Sequence, residues 1–364
     1  MAQFHGSDLE KIEEIYGIPK EEIIGFGSNV NPLGLPESLK EYLSQHLDVL
    51  SSYPDREYRK LREALAAYTG ADAKHILVGN GSTELICACI QALRPKEAVV
   101  LGPSYSEYER ELRLAGSHIA YYDLKEEDEF RLDVEDLKGA LVERPDCSLL
   151  VLCNPNNPTS SAIPSGQMET LLDFCGAHGI WVMVDETYVE FAPSYQELTA
   201  IPLVARFPRL IVLRGVSKFW AAPGLRLGYA LTKDAWLRSA ISEHKNPWTV
   251  SSIAAAAGEH MFSDSSYIER TRALIDSERG RCLERLSSIE GLKPYPAFAN
   301  FLLIRILKED CSAHDLFEAA IRRRMMIRDC SDFHSLGKHY FRFCLLLPEQ
   351  NTKLLDCIEE FIRG

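Results

Sequence analysis

Lys218 stands eight residues before Arg226 in the stretch Ser217-Lys218-Phe219-Trp220-Ala221-Ala222-Pro223-Gly224-Leu225-Arg226. The stretch follows the apolar run Leu210-Ile211-Val212-Leu213, which reads as a strand. A primary amine and a guanidinium in one glycine-containing loop suit a ligand that carries both an aldehyde and a phosphate. The amine condenses with the aldehyde as a Schiff base, and the guanidinium fork grips the phosphate through paired hydrogen bonds. Two surface cations in a loop would share this spacing, so the pair needs company. Pyridoxal phosphate is a cofactor with both groups, and its ring sets what else the chain must offer.

Asp185 follows the strand-like Trp181-Val182-Met183-Val184 and opens Asp185-Glu186-Thr187-Tyr188. A carboxylate facing a pyridine nitrogen keeps it protonated and makes the ring an electron sink; a helix N-cap is the competing use of an aspartate there. Tyr188, three residues on, can reach the same ring and bond its oxygen. Asn154-Pro155-Asn156-Asn157-Pro158-Thr159 suits any turn, and the Asn157 amide can donate to that same oxygen. Gly81, Ser82 and Thr83 lie between a strand and a helix, where free amides form an anion site. Tyr105, after another strand, has the ring to stack on the cofactor, although packing is the commoner use of such an aromatic.

The elements that must position these residues read as strands at 75–78, 98–101, 149–152, 181–184 and 210–213, alternating with helices at 83–93, 106–114, 134–142 and 166–177. That alternation predicts a mostly parallel sheet covered on both faces. Ligands of such sheets bind beyond the carboxyl ends of the strands, which is where the candidates fall. After residue 245 the pattern changes to one long helix from Ser251 to about Leu286, strands at 301–304 and 340–344, and helices at 313–323 and 349–362, a smaller α+β unit. The first 35 residues form an arm expected to cross that unit.

The chain has 364 residues, too many for one core to serve, so two domains are expected. A net charge of −13 argues against nucleic acid or anionic lipid as partner and requires a local basic pocket for any anionic substrate. No apolar run is long enough to span a membrane, and the N-terminus has no signal-peptide pattern, which leads to the expectation of a cytoplasmic protein. Ten cysteines without a C-x-x-C pair read as buried free thiols, and no metal site is expected.

Phosphate turn, stacking aromatic, asparagine, aspartate with tyrosine, lysine and arginine, each after a successive strand, form an ordered series. It resembles the large domain of the fold-type I pyridoxal-phosphate enzymes of the class I/II aminotransferase superfamily, over nearly the whole chain. The resemblance implies an α/β fold with an N-terminal arm (1–35), a large domain around a mostly parallel seven-stranded sheet (36–245) and a small C-terminal α+β domain (246–364). It also implies that Lys218, Asp185 and Tyr188 are catalytic, and that Gly81, Ser82, Thr83, Tyr105, Asn157, Ser217 and Arg226 bind the cofactor.

Asn29-Val30-Asn31-Pro32 and Tyr53-Pro54-Asp55 are similar to motifs of the histidinol-phosphate aminotransferase subgroup. There the tyrosine reaches the neighbouring subunit's cofactor, so Tyr53 implies a homodimer with shared active sites. His5-Gly6, Asn31-Pro32-Leu33-Gly34-Leu35-Pro36, and Ile327-Arg328-Asp329-Cys330-Ser331 leading to Tyr340-Phe341-Arg342 look more like threonine-phosphate decarboxylases of cobalamin biosynthesis. On that likeness the substrate is a small phosphorylated amino acid, threonine phosphate or serine phosphate, bound by His5, Gly6, Asn31, Asn157, Arg328 and Arg342. An aminotransferase of the histidinol-phosphate type is the alternative.

Several positions depart from the pattern. His5-Gly6-Ser7-Asp8 replaces His-Gly-Gly-Asn, Gly215 replaces a hydroxyl residue that Ser217 partly restores, Ser160 replaces a glycine, and Leu346 stands where the decarboxylases carry a second basic residue.

Overall fold

The computed structural model describes residues 8–364, so His5 and Gly6 lie outside the described residues. The segment Ile24–Gly25 (β1) precedes a large sheet built from Ile76–Gly79 (β2), Glu97–Gly102 (β3), His118–Asp123 (β4), Cys147–Cys153 (β5), Trp181–Asp185 (β6), Leu210–Gly215 (β7) and Gly228–Leu231 (β8). These seven strands lie in the order β2-β8-β7-β6-β5-β3-β4. Neighbours from β7 to β4 pair in parallel, and β8 runs antiparallel to both β7 and β2. The strand β5 is almost wholly buried, as an apolar run covered by helices on both faces must be.

Two strands of this sheet escape a search for apolar runs. At the sheet edge β4 is rich in polar residues and only one of its residues is buried, and β8 is four residues long and opens on a glycine. The expected long helix after residue 250 is two helices, Ser252–Met261 and Ser265–Ser287. Asp264 makes the break: its carboxylate accepts from the Tyr267 amide at 2.9 Å and from Ser38 Oγ at 2.5 Å, which caps the second helix.

A second, antiparallel sheet is built from Leu292–Pro294 (β9), Phe301–Ile306 (β10), Arg328–Asp329 (β12) and Tyr340–Cys344 (β13), in the order β12-β13-β10-β9. The two-residue strand Met325–Met326 (β11) pairs in parallel with β1, so the N-terminal segment is stitched to this part of the chain. The Tyr16 hydroxyl adds a 2.5 Å bond to Glu318. Glu126, beyond β4, ties the two sheets together by accepting from Tyr295 and Arg305 at 2.6 Å and from Lys293 at 3.2 Å.

Ser160 makes a further tie and explains one departure from the family pattern. Its φ of +61° lies in the region that favours glycine. Its Oγ accepts from the amides of Ala299 at 2.9 Å and Phe298 at 3.2 Å, contacts that glycine lacks. The hydroxyl thus offsets the strained backbone by satisfying the approach to β10. All ten cysteines are free, and all but Cys87 and Cys311 are buried. Among the described residues no helix is long and apolar enough to cross a membrane.

Beneath the carboxyl edge of the sheet lies a buried ion pair. Arg214 of β7 donates to Glu186 Oε2 through Nε at 3.0 Å and Nη2 at 2.8 Å, and Nη2 also donates to Thr199 Oγ1 at 2.8 Å. Glu186 is the residue after Asp185, so this pair pins the turn that aims the Asp185 carboxylate. Glu186→Ala leaves a buried guanidinium without its counterion, and urea denaturation should show a loss of about 3–5 kcal/mol. A loss below about 1 kcal/mol would show that the pair does not hold this turn.

Candidate active site

Every predicted cofactor residue except Tyr53 reaches one edge of the large sheet. The helix Gly81–Leu93 starts after β2 with Gly81 at φ +78°. Arg226 immediately precedes the Leu227-Gly228 entry to β8; because that strand is antiparallel to its neighbours, its first residue lies at the same edge as their last ones. The Arg226 guanidinium lies directly over Gly81: a Cβ there would stand 2.9 Å from Cζ and closer still to Nη2. Arg226 itself takes φ +53° and donates to the carbonyls of Pro223 at 3.2 Å and Asn80 at 3.4 Å. It has no carboxylate partner among the described residues.

A guanidinium poised over free helix amides, with room kept by a glycine, matches the chemistry of a phosphate. Ser82, Thr83, Ser217 and Arg226 line one cavity of about 200 Å³ with Lys218 and Asp185. A Cβ at Gly215 would stand 3.7 Å from Ser82 Oγ, so the hydroxyl missing at 215 leaves its space beside the hydroxyl already there.

Lys218 is partly buried, and its Nζ donates to the Ser28 carbonyl at 2.7 Å. Burial, helped by the nearby Arg342 cation, pulls its pKa from 10.5 down to about 8. An amine so placed is a ready nucleophile near neutral pH. Asp185 ends β6. Its Oδ1 accepts from the Thr187 amide at 2.9 Å and the Thr187 hydroxyl at 2.6 Å, and its Oδ2 accepts from the Tyr108 hydroxyl at 2.7 Å. Burial raises its pKa, which a positively charged ring nitrogen would counter. The local turn at Asp185 is thus made, and the carboxylate still faces the cavity.

Sequence reasoning passed over Tyr108, Thr187 and Asn29. Tyr108 lies three residues beyond Tyr105 in the first turn of the helix Ser106–Leu114, a spacing that puts both rings on one face; they meet edge-on at 5.6 Å. Asn29 Nδ2 donates to the Tyr188 hydroxyl at 3.3 Å. Its only signal in the sequence was membership of the Asn29-Val30-Asn31 motif, in which Asn31 was the residue singled out.

A second, outer cavity of about 470 Å³ shares Tyr105, Asn157, Tyr188 and Lys218 with the inner one and adds Arg328 and Arg342. Arg342 is 4% exposed and has no carboxylate partner among the described residues. It donates to the Gly27 carbonyl at 2.9 Å and to Asn157 Oδ1, its plane lies over the Phe301 ring at 5.1 Å, and its Nε has no partner. Burial pulls its pKa down. Its strand neighbours Phe341 and Phe343 are wholly buried and line neither cavity, as alternation along β13 requires. Arg328 is already paired, with Nη2 at 2.7 Å from both oxygens of Asp332. Asp8 also lines the outer cavity, which places a carboxylate in its wall.

One predicted substrate residue is corrected. Asn31 is 2% exposed and lines neither cavity. Its Nδ2 is used by the Phe219 carbonyl, Tyr267 and Thr271 at 2.8–2.9 Å, and its Oδ1 by the Leu33 amide at 3.0 Å. It buttresses the lysine loop from behind, with its own amide on the Lys218 carbonyl at 3.0 Å. Leu346 also faces away; its backbone is closed by Asn351, whose side chain bonds both its amide and its carbonyl at 2.8 Å. Tyr53 is 81% exposed, leans on Trp248 at 4.9 Å between ring centres, and lines neither cavity of its own chain.

Two outcomes test the cofactor fit. Borohydride reduction of the loaded protein followed by peptide mapping should put the label on Lys218, and uptake of the aldehyde by the apo form should accelerate with rising pH about a midpoint near 8 rather than 10.5, because the reactive amine appears as its proton leaves. In Gly81→Ala the new methyl collides with Arg226 at a backbone angle that disfavours it, so spectrophotometric titration should show cofactor affinity reduced about tenfold or more.

The sequence matches the family model for aminotransferase class I and II over residues 21–358. It is 34% identical to a threonine-phosphate decarboxylase of Salmonella typhimurium over 99% of this chain and 97% of that protein. It is 32% identical to the adenosylcobalamin biosynthesis bifunctional protein CobDQ of Leptospira interrogans over 99% of this chain and 41% of that longer one. The crystal structure of histidinol-phosphate aminotransferase from Clostridium acetobutylicum superposes with a TM-score of 0.87 at 28% identity, covering 93% of this chain and 98% of that one. The arrangement of lysine, aspartate and arginine-capped helix start on a fold-type I scaffold therefore has a family to go with it: this chain belongs to the class I and II aminotransferases, enzymes whose cofactor is pyridoxal phosphate.

Proposed function

We propose that this enzyme decarboxylates an O-phosphorylated hydroxy amino acid in the cytoplasm, in cobalamin or cobamide assembly. L-threonine O-3-phosphate would give aminopropanol phosphate, and L-serine O-phosphate would give ethanolamine phosphate. The observation that carries the reading is Arg342: a buried cation without a carboxylate partner, in one cavity with the Lys218 amine and with a further arginine, Arg328. That layout suits a substrate with a carboxylate at one end and a phosphate at the other. The likeness to the Salmonella protein supports decarboxylation as the reaction.

Pyridoxal phosphate, when bound, supplies the electron sink that makes a bond at the substrate's alpha carbon breakable. Gly81, Ser82, Thr83, Ser217 and Arg226 would hold its phosphate, Asp185 its ring nitrogen, Tyr188 and Asn157 its ring oxygen, and Tyr105 its face. The remaining work falls to the chain itself. Arg342 offers its fork to the substrate carboxylate and is itself held in place by Asn157 and the Gly27 carbonyl. Which alpha-carbon bond breaks depends on how rigidly the two ends of the substrate are anchored. Lys218, with its pKa near 8, can hold a proton and deliver it to the alpha carbon after carbon dioxide leaves.

The working unit in this reading is a homodimer in which Tyr53 enters the neighbouring copy's cofactor site. Its exposure, with that of Leu47 and Leu50 at 56% and 60%, supports a covered surface there. His5 and Gly6 would join the substrate phosphate.

Holoenzyme given phosphothreonine should release carbon dioxide and aminopropanol phosphate. Arg342→Gln should lower kcat/KM about 100-fold or more, since a charged bidentate contact is lost. The likeness to the Clostridium structure favours the other reading, transamination of histidinol phosphate. Amino transfer to 2-oxoglutarate without carbon dioxide would decide for it.

A further inference from the structure

The outer cavity holds a basic side chain that neither the sequence motifs nor the reaction uses. His334 lies between β12 and β13 and lines the same cavity as Arg342, Arg328 and Lys218. Its ring stacks on Tyr121 of the edge strand β4, centre to centre at 3.8 Å and 18° from parallel. Its Nε2 lies 3.2 Å from Asp123 Oδ1 of that strand. Gly102, at the end of β3, makes room for the pair: a Cβ there would come within 3.2 Å of His334 Cδ2 and would overlap the Asp123 carboxylate. The Nδ1 of the ring has no partner among the described residues.

We propose that His334 is a phosphate-binding residue of the substrate cavity, oriented by Asp123 and Tyr121, and that it supplies the second basic group absent at position 346. This rests on the reading of a phosphorylated amino acid as substrate. The open Nδ1 edge of a cavity-lining ring that Asp123 and Tyr121 hold in place carries it. Glu107 pairs with Arg110 at 3.0 Å, Asp332 with Arg328 at 2.7 Å, and Glu109 with Arg113, so these carboxylates of the wall are already engaged, as Asp123 is with His334. Arg342 suits the carboxylate, Lys218 serves the cofactor, and a doubly charged phosphate needs a further donor. An imidazolium that donates to Asp123 from Nε2 keeps Nδ1–H for that anion, and the aspartate holds the ring in one orientation while it does so. Leu346, tied up with Asn351, has no access to this space.

The holoenzyme and its His334→Ala and His334→Gln variants distinguish the possibilities. His334→Ala should raise KM for phosphothreonine about tenfold or more with kcat within about twofold, because a charged hydrogen bond to the ground-state phosphate is lost. Calorimetry with inorganic phosphate should show a matching weakening, while binding of unphosphorylated L-threonine stays within about twofold. His334→Gln, which keeps a donor, should fall between. Equal weakening for threonine and phosphate would overturn the proposal and leave His334 a latch between the sheets, and unchanged phosphate binding would overturn it outright. If the wild-type enzyme releases no carbon dioxide, the proposed reaction fails, but the two titrations still decide the role of His334.

Discussion

Everything at this site depends on cations that the fold buries without giving them carboxylates. Arg342 is buried and Lys218 partly so, each with only neutral oxygens to donate to, the Gly27 carbonyl and the Asn157 amide for the first and the Ser28 carbonyl for the second. Burying charge in this way is expensive unless something anionic or covalent is expected there. The same burial pulls the amine toward neutrality, which is what a nucleophile in water at physiological pH needs. The desolvation of these cations and their readiness for an anionic or covalent ligand are therefore one property.

The sheet turns this local arrangement into a site. Parallel strands deliver Tyr105, Asn157, Asp185 and Lys218 to one edge because each lies at or just after the end of a strand. The reversal of β8 brings Arg226 to that edge as well. The Arg214–Glu186 pair, buried one layer below, fixes the turn from which Asp185 projects, so a stability element and an electronic element share consecutive residues. The outer cavity is completed from the second sheet, and ties such as Glu126 with Arg305 and Ser160 with Ala299 hold the two sheets in register around it.

The departures from the family pattern acquire different meanings in three dimensions. Ser160 keeps a glycine's backbone and uses its hydroxyl to bond the amides leading into β10. Gly215 leaves a gap beside Ser82 Oγ, so the inner cavity keeps a hydroxyl at that point. Leu346 faces away from the cavity altogether, and basic character appears instead in the loop that carries His334.

By itself the sequence determined the family and most of the large sheet, and it singled out Lys218 as the candidate amine. Asp185 and Lys218 follow apolar runs whose length leaves little choice of structure, and strand ends fix where the next residues go. The edge strand β4, the short β8 and the helix break at Asp264 were not legible, because partial exposure, brevity and a single capping side chain leave no apolar signature. Tertiary structure alone decided the roles of Asn31, Tyr108 and His334. Each acts through a partner far away in the chain: Asn31 with Tyr267 and Thr271, Tyr108 with Asp185, and His334 with Asp123. Such contacts form only when separate elements pack, and spacing along a chain does not encode them.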